Sequence, residues 1–70
     1  EWRARPGAKK AADAAIKQLT DPSARVRYDA VGTLDVTRPP QAVAVLEQLV
    51  ARETDANTKM YAEGVLARFR

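Results

Sequence analysis

Residues 19–27 read Leu-Thr-Asp-Pro-Ser-Ala-Arg-Val-Arg. Asp21 can accept a hydrogen bond from a free N–H of a first helical turn, and Pro22 suits the first helical position because its missing N–H would be unpaired there. Beyond this point the apolar residues recur at every fourth position, which places them on one helix face: Val26, Ala30 and Leu34. The stretch therefore predicts a turn followed by an amphipathic helix.

Breaker residues divide the rest of the chain in the same way. The breaks fall at Pro6-Gly7, Pro22, Pro39-Pro40 and Thr54-Asp55. The intervening segments are rich in helix-forming residues, and no segment alternates apolar and polar residues for long enough to indicate a strand. We predict four helices: residues 8–19, a second from Pro22 that ends before Pro39, a third from Pro40 or Gln41, and a fourth after Thr54 or Asp55, either of which can cap it.

Each predicted helix carries apolar side chains at helical spacing, so each has a face to bury. Because the connections are short, about 2–6 residues, consecutive helices are expected to pack antiparallel. The expected core residues are Ala8, Ala12, Ala15, Ile16, Leu19, Val26, Ala30, Val31, Leu34, Val43, Leu46, Leu49, Val50, Thr58, Ala62, Val65, Leu66 and Phe69.

The chain also contains an internal repeat. A shift of 32 residues places Ala-Val-Gly-Thr-Leu at 30–34 on Ala-Glu-Gly-Val-Leu at 62–66, and a shift of 30 places Ile16 and Leu19 on Leu46 and Leu49. A period of this length with two helices per unit is typical of a helical solenoid. We therefore predict an all-α fold of four antiparallel helices in two stacked hairpins, 8–36 and 37–70. Residues 1–7, with Trp2 and Gly7, are expected to form a tail or the end of a preceding helix.

The first unit resembles the HEAT-like repeat family, including its short bacterial form named after phycobilisome lyases. The resemblance implies an α-solenoid that holds a partner. The second unit departs from the pattern, with Thr54-Asp55 in place of Asp-Pro and Thr58-Lys59 in place of Val-Arg, as expected of a terminal, capping unit. The residues that carry the resemblance are Leu19, Asp21, Pro22, Val26, Arg27, Ala30 and Leu34.

The composition removes several kinds of chemistry. The chain has no cysteine and no histidine, so it lacks disulfides, thiolate ligands and the commonest general base. The carboxylates are scattered, and the three glycines lie far apart, which leaves no acid dyad, metal-ligand cluster or phosphate-binding loop. We predict no catalytic residues, no cofactor and no metal site.

The charge leaves an alternative function open. Lys and Arg outnumber Asp and Glu by 12 to 9, a milder excess than the basic stripe of a dedicated nucleic-acid binder. A solenoid with a basic side could still hold a phosphate backbone, as HEAT-like repair proteins with basic inner surfaces do. A third hypothesis is a regulatory fragment of an enzyme, since bilin lyases carry such repeats. The basic residues concerned are Lys9, Lys10, Lys17, Arg25, Arg27, Arg38, Lys59, Arg68 and Arg70.

A partner-binding surface is expected on the second helix of each unit. Tyr28 and Tyr61 stand at similar places in these helices, which line the inner face in repeats of this kind, and exposed Tyr with Arg is typical of contact surfaces. The alternative is that each ring only covers the neighbouring helix. The predicted partner-binding residues are Arg25, Tyr28, Asp29, Asn57, Tyr61 and Arg68.

Three other residues carry structural expectations. Gly32 and Gly64 lie in the middle of predicted helices, where each costs about 1 kcal/mol relative to Ala, so either a helix packs closely on it or the site is exposed and tolerant. The stem of Arg27 is expected to cover the turn while its guanidinium reaches a carbonyl or a carboxylate.

The expected partner is a protein or peptide. No apolar run approaches the length of a membrane span; residues 42–46 form the longest uncharged apolar stretch. Two repeats have open ends, and arrays of this kind usually need about three, so we expect a module of a larger protein or self-association through an exposed end. The lack of cysteine favours a reducing compartment such as the cytoplasm.

Overall fold

The computed structural model describes residues 6–69, except for the side chains of Pro6 and Ala8. The chain forms four α-helices: α1 (Pro6–Gln18), α2 (Ala24–Thr37), α3 (Ala42–Arg52) and α4 (Ala56–Phe69). Over these residues there is no strand, and the all-helical prediction is confirmed. None of the four helices combines the length and the hydropathy that crossing a bilayer requires.

The helices enclose one apolar core. Helix α1 packs on α2, α3 packs on α4, and α2 packs on α4. Most of the predicted core is confirmed, although Ile16, Val26, Val43, Val50 and Phe69 are only partly buried and the side chain of Ala8 lies outside the described residues. The buried apolar residues are Ala12, Ala15, Leu19, Ala30, Val31, Leu34, Ala42, Leu46, Leu49, Ala62, Val65 and Leu66.

Helix α1 begins earlier than the sequence predicts. Pro6 and Gly7, interpreted above as a break and as part of a tail, form the first turn of α1. A proline is well accommodated there, because the first helical N–H groups have no partner in the helix. Trp2 and the rest of residues 1–5 lie outside the described residues.

The predicted cap of α2 is wrong by two residues. Ser23 is the N-cap, and its hydroxyl accepts a long hydrogen bond, 3.5 Å, from the N–H of Val26. Asp21 Oδ1 instead accepts from the N–H of Ser23 at 2.8 Å, which folds the linker into a local turn. Pro22 therefore precedes the helix. The local sequence allows Asp21 either to cap the helix or to form a turn with Ser23, and in the structure it forms the turn.

Helix α2 ends as the double proline predicts. Its last residue is Thr37, one beyond the predicted unit boundary at 36, and Arg38 adopts the left-handed conformation with φ 49° and ψ 56°. The N–H of Arg38 donates to the carbonyl of Leu34 at 2.9 Å, which closes the last turn. Since the residue before a proline avoids the right-handed helical region, Pro39 fixes this end.

The starts of α3 and α4 differ in their capping. Gln41 precedes α3 without a side-chain capping bond. Asp55 caps α4: its Oδ2 accepts from the N–H of Thr58 at 2.9 Å and from the Thr58 hydroxyl at 2.8 Å. Of the two candidate caps for α4, Asp55 rather than Thr54 takes the role, and α3 begins at Ala42 instead of Pro40 or Gln41.

Candidate functional site

The contacts between α2 and α4 determine which surface residues come together. Near the start of both helices the hydroxyl of Thr58 lies 3.5 Å from the carbonyl oxygen of Ala24, to which it donates. Near their ends Arg68 Nη2 donates to Asp35 Oδ2 at 2.6 Å. The N-terminal part of α2 thus contacts the N-terminal part of α4, and the C-terminal parts of the two helices contact each other. The predicted binding residues near both N-termini therefore share one surface.

An open groove of about 780 Å³ lies between the N-terminal halves of α2 and α4. Five of the six predicted partner-binding residues line it, and only Arg68 does not. A groove of this volume is within the range that ligand sites commonly have. Its lining residues are Ala24, Arg25, Tyr28, Asp29, Asp55, Asn57, Thr58, Met60 and Tyr61.

The two tyrosines form a stacked pair within this groove. Their ring centroids are 4.5 Å apart and their planes differ by 28°. Tyr61 is partly buried, whereas Tyr28 keeps 43% of its surface exposed. Tyr61 therefore packs on the neighbouring helix, as the second interpretation expects, while Tyr28 keeps a large surface exposed to solvent.

Gly32 makes room for this arrangement. A Cβ at Gly32 would lie 3.1 Å from the hydroxyl oxygen of Tyr61, tighter than ordinary van der Waals contact, so close packing explains this mid-helix glycine. Gly64 is different: a Cβ there would have no neighbour within 4 Å, which matches the expectation of a tolerant, exposed position.

The charged residues on the rim of the groove belong to α2 and to the cap of α4. Arg25 and Asp29 are both exposed and lie four residues apart, yet they form no ion pair with each other or with another described residue. Asp55 is partly buried, and its hydrogen bonds from Thr58 hold the pKa of its carboxyl below the usual value. The groove thus presents two carboxylates and one guanidinium.

Met60 is one of four groove residues that the predicted partner-binding set does not include. Its side chain is 64% exposed, which is unusual for a large apolar residue. It precedes Tyr61 and lies three residues after Asn57, so the helical spacing that grouped those two could also have included it. Asp55 was interpreted only as a cap, although it lines the groove as well.

Arg68 takes part in a different contact, at the C-terminal ends of α2 and α4. Its guanidinium binds Asp35, whose Oδ1 also lies 3.5 Å from Arg38 Nη2. The Arg38 guanidinium in turn sits over the ring of Phe69, 4.7 Å from its centroid. Within the described residues Asp35 Oδ1 is buried without a hydrogen bond. These groups join the two helices and lie away from the groove.

Arg27 joins the turn before α2 to the turn before α4. Its guanidinium reaches both carbonyls and a carboxylate, as the sequence predicts. Its Nε and Nη2 donate to the two carboxylate oxygens of Glu53, each at 2.8 Å, and its Nη1 donates to the carbonyls of Asp21 at 2.7 Å and Pro22 at 3.0 Å. The Glu53 side chain is fully buried and also accepts from the N–H of Asp55 at 2.9 Å. The planar guanidinium thereby fixes the turn before α2 against the turn before α4.

The Arg27–Glu53 pair explains why a second cleft, which these two residues line, is a weaker candidate site than the groove. This cleft of about 340 Å³ includes Arg27, Glu53 and Arg52. The hydrogen bonds from Arg27 hold the pKa of Glu53 below its usual value, and Glu53 raises the pKa of Arg27. Because Arg27 and Glu53 neutralise each other, the charge that this cleft still offers a ligand comes from Arg52, which is exposed and pairs with no described residue, and from Asp21.

The described basic residues lie on all four helices and, for Arg38, in the connection after α2. Arg27, Arg38 and Arg68 each pair with a carboxylate, and Arg25 is the only one of the described basic residues that lines the groove. In the region from 6 to 69, no three acidic side chains lie close enough to hold a metal ion. Comparisons of this chain with known protein families, with curated proteins and with solved structures find no match.

Proposed function

We propose that this chain is a non-catalytic protein-binding scaffold of the HEAT-like kind, built from two stacked antiparallel hairpins and forming a module of a larger protein. Its binding surface is the groove between α2 and α4. The observation that carries the proposal is the stacked tyrosine pair, which leaves Tyr28 43% exposed beside an exposed methionine and two unpaired charges.

The helix connections support the stacked-hairpin arrangement. They comprise residues 19–23, 38–41 and 53–55, so each consists of only a few residues. Connections this short favour antiparallel neighbours. Helices α2 and α4, which are two connections apart, should then point the same way, and their early-to-early and late-to-late contacts agree with that direction.

The groove has the composition of a contact surface. Tyr, Met and Arg are enriched in protein interfaces, where a central aromatic anchor commonly supplies much of the binding energy. Here the anchor is Tyr28, held in place by Tyr61, and the polar rim consists of Arg25, Asp29 and Asn57. An anchor that is already ordered loses little conformational entropy when a partner covers it.

Nucleic-acid binding is less well supported. A phosphate backbone is recognised by several cations that lie along one surface. Three of the described arginines, Arg27, Arg38 and Arg68, already contact carboxylates. A phosphate approaching the one groove cation, Arg25, would also approach Asp29 and Asp55.

The proposal is tested by partner capture followed by direct measurement. The immobilised chain is used to capture proteins from an extract of its source, and a protein identified in this way is purified and titrated calorimetrically. We expect Tyr28→Ala and Met60→Ala to weaken its binding by at least about tenfold, a loss of about 1.4 kcal/mol, because both side chains offer exposed apolar surface in the groove. Lys17→Ala, at an exposed position of α1 outside the groove, is the control and should bind normally.

Circular dichroism must show that all three variants retain the helical content of the parent chain. Equal binding by the groove variants and the Lys17→Ala control would place the interaction elsewhere and reject the groove as the binding surface. The nucleic-acid alternative would be favoured instead if the chain bound duplex DNA at 50 mM salt at least as tightly as it binds the captured protein. That binding should then be lost when the salt concentration is raised.

A further inference from the structure

We propose that the groove between α2 and α4 accepts a peptide segment in which an arginine side chain is flanked by apolar residues, with the arginine stacked on Tyr28 and paired with Asp29. This inference rests on the proposed function and specifies the chemistry of the partner. It is carried by the charges of the groove, by the geometry of the tyrosine pair and by the exposure of Met60.

The charge of the groove is opposite to that of the whole chain. The chain has 12 basic and 9 acidic residues, whereas the charged residues that line the groove are Asp29, Asp55 and Arg25, two carboxylates against one guanidinium. Asp29 is exposed and pairs with no described residue, so its carboxylate remains available to a partner. A cation is therefore better matched to this groove than to the chain as a whole.

The tyrosine pair adds a second attraction for a cation. Tyr61 stacks on one face of Tyr28, and 43% of Tyr28 remains exposed. We place the cation of the partner on the other face of this ring. The face of an aromatic ring carries negative charge density and attracts a guanidinium or an ammonium group. A guanidinium is planar and can stack on the ring while its edge binds a carboxylate, so arginine fits better than lysine.

The apolar part of the segment follows from Met60. This side chain lies next to Tyr61 and is 64% exposed, and its flexible thioether can adapt to apolar groups of different shapes. Asn57 offers an amide that can donate to or accept from an extended peptide backbone. A segment that carried only charge would leave Met60 exposed.

An acidic segment is disfavoured by the same residues. Its carboxylates could pair with Arg25, but they would then lie in a groove that also contains Asp29 and Asp55. The hydrogen bonds from Thr58 to Asp55 favour the ionised form of that carboxyl, so it stays negative at neutral pH. Like charges inside an interface oppose binding and exclude acidic partners.

The experiment uses the full chain, labelled with nitrogen-15, and three synthetic peptides that differ at one position. The first is acetyl-Ser-Leu-Arg-Leu-Ser-amide, in which leucines flank the arginine, and the other two carry Gln or Glu in place of Arg. We expect the arginine peptide to shift the backbone amide signals of residues 25–29 and 57–61 in the NMR spectrum. The Gln peptide should bind about fivefold to tenfold more weakly, and the Glu peptide should bind more weakly still.

Two variants of the chain make the test specific. Asp29→Asn should lower the affinity for the arginine peptide by about threefold to fivefold and leave the affinity for the Gln peptide unchanged, because it removes one charge and little volume. Asp13→Asn makes the same chemical change at an exposed position of α1 and should change neither affinity.

Equal shifts with the arginine and Gln peptides, tighter binding of the Glu peptide, or no shift in the groove with the arginine peptide would each overturn this inference. The proposed function would survive these outcomes if a captured partner still lost affinity on Tyr28→Ala and Met60→Ala. Loss of that dependence would overturn the proposed function itself, whatever the peptides do.

Discussion

Gly32 and Gly64 occupy equivalent positions in α2 and α4 under the 32-residue shift, but their surroundings differ. The sequence predicted both as mid-helix glycines, and it offered close packing and exposure as explanations without assigning either. The distinction depends on where Tyr61 lies, because its hydroxyl would be 3.1 Å from a Cβ at Gly32 whereas a Cβ at Gly64 would meet open space. A contact between helices cannot be derived from the spacing within one helix.

These two glycines give a matched prediction of stability. Gly64→Ala should raise the free energy of unfolding by about 0.5–1 kcal/mol, because alanine loses less backbone entropy on folding and meets no neighbour. Gly32→Ala should raise the free energy of unfolding by less than Gly64→Ala does, or lower it, since the Tyr61 hydroxyl must move by a few tenths of an ångström. Urea unfolding followed by circular dichroism measures both; an equal gain at the two positions would contradict the packing of Tyr61 on Gly32.

The residues that line the groove could largely be predicted, since the helical spacing determines which side chains share a face. Arg25, Tyr28 and Asp29 share a face of α2, and Asn57 and Tyr61 share a face of α4, so any packing of these two faces brings them together. Arg68 lies further along α4, and its distance from the groove follows from helix length, about 1.5 Å per residue. At that end of α4, the guanidinium of Arg68 binds Asp35 and not a residue of the groove.

At the scale of the elements, helix ends were predicted less well than helix interiors. Asp21, Pro22 and Ser23 all favour a helix start, and their local sequence cannot decide which one caps. In the structure Arg27 binds the carbonyls of Asp21 and Pro22, which holds this stretch outside the helix. Arg27 is itself held by Glu53, 26 residues away, so the start of α2 depends on a contact with the turn before α4.

The Arg27–Glu53 pair predicts a pH dependence of stability. Both Glu53 and Asp55 have a folded-state pKa below the ordinary values of 4.5 and 3.8. A lowered carboxyl pKa contributes stability above the unfolded pKa, and that contribution is lost as the pH falls through the folded pKa. The free energy of unfolding should therefore vary little with these two groups between about pH 7 and 5, and it should fall below about pH 4.5.

Glu53→Gln tests this contribution. We expect the variant to lose about 1–3 kcal/mol of stability at pH 7, because two charge-assisted hydrogen bonds from Arg27 are replaced by weaker contacts. The deficit should shrink as the pH falls through the lowered pKa of Glu53, since the carboxylate of the parent chain is then protonated. Thermal unfolding from pH 7 to pH 2.5 measures it, with the exposed Glu63→Gln as control; a deficit that is constant over this range would contradict the role of the carboxylate.

For the whole molecule, the 32-residue repeat allows the side of α2 that faces α4 to be compared with the corresponding side of α4. Positions of α2 that contact α4 include Ala24, Tyr28 and Asp35. The fully buried Val31 lies on the same face of α2, three residues after Tyr28 and four before Asp35. The equivalents of these positions on α4 under the 32-residue shift are exposed, and Glu63 stands where α2 has Val31. A further helix that packed on α4 as α4 packs on α2 would bury the Glu63 carboxylate, which is costly unless a cation or several donors accompany it.

Glu63 should therefore oppose stacking of a second copy of the chain on α4. Glu63→Val restores at this position the residue that α2 carries, and it should strengthen self-association by at least about tenfold because a buried carboxylate is replaced by apolar surface. Sedimentation equilibrium over a range of concentrations measures the change. Asp13→Val makes a similar change at an exposed position of α1 and should associate no more than the parent chain. If both variants associate equally, added hydrophobicity alone is responsible; if Glu63→Val remains like the parent, α4 does not offer the stacking surface that the repeat predicts.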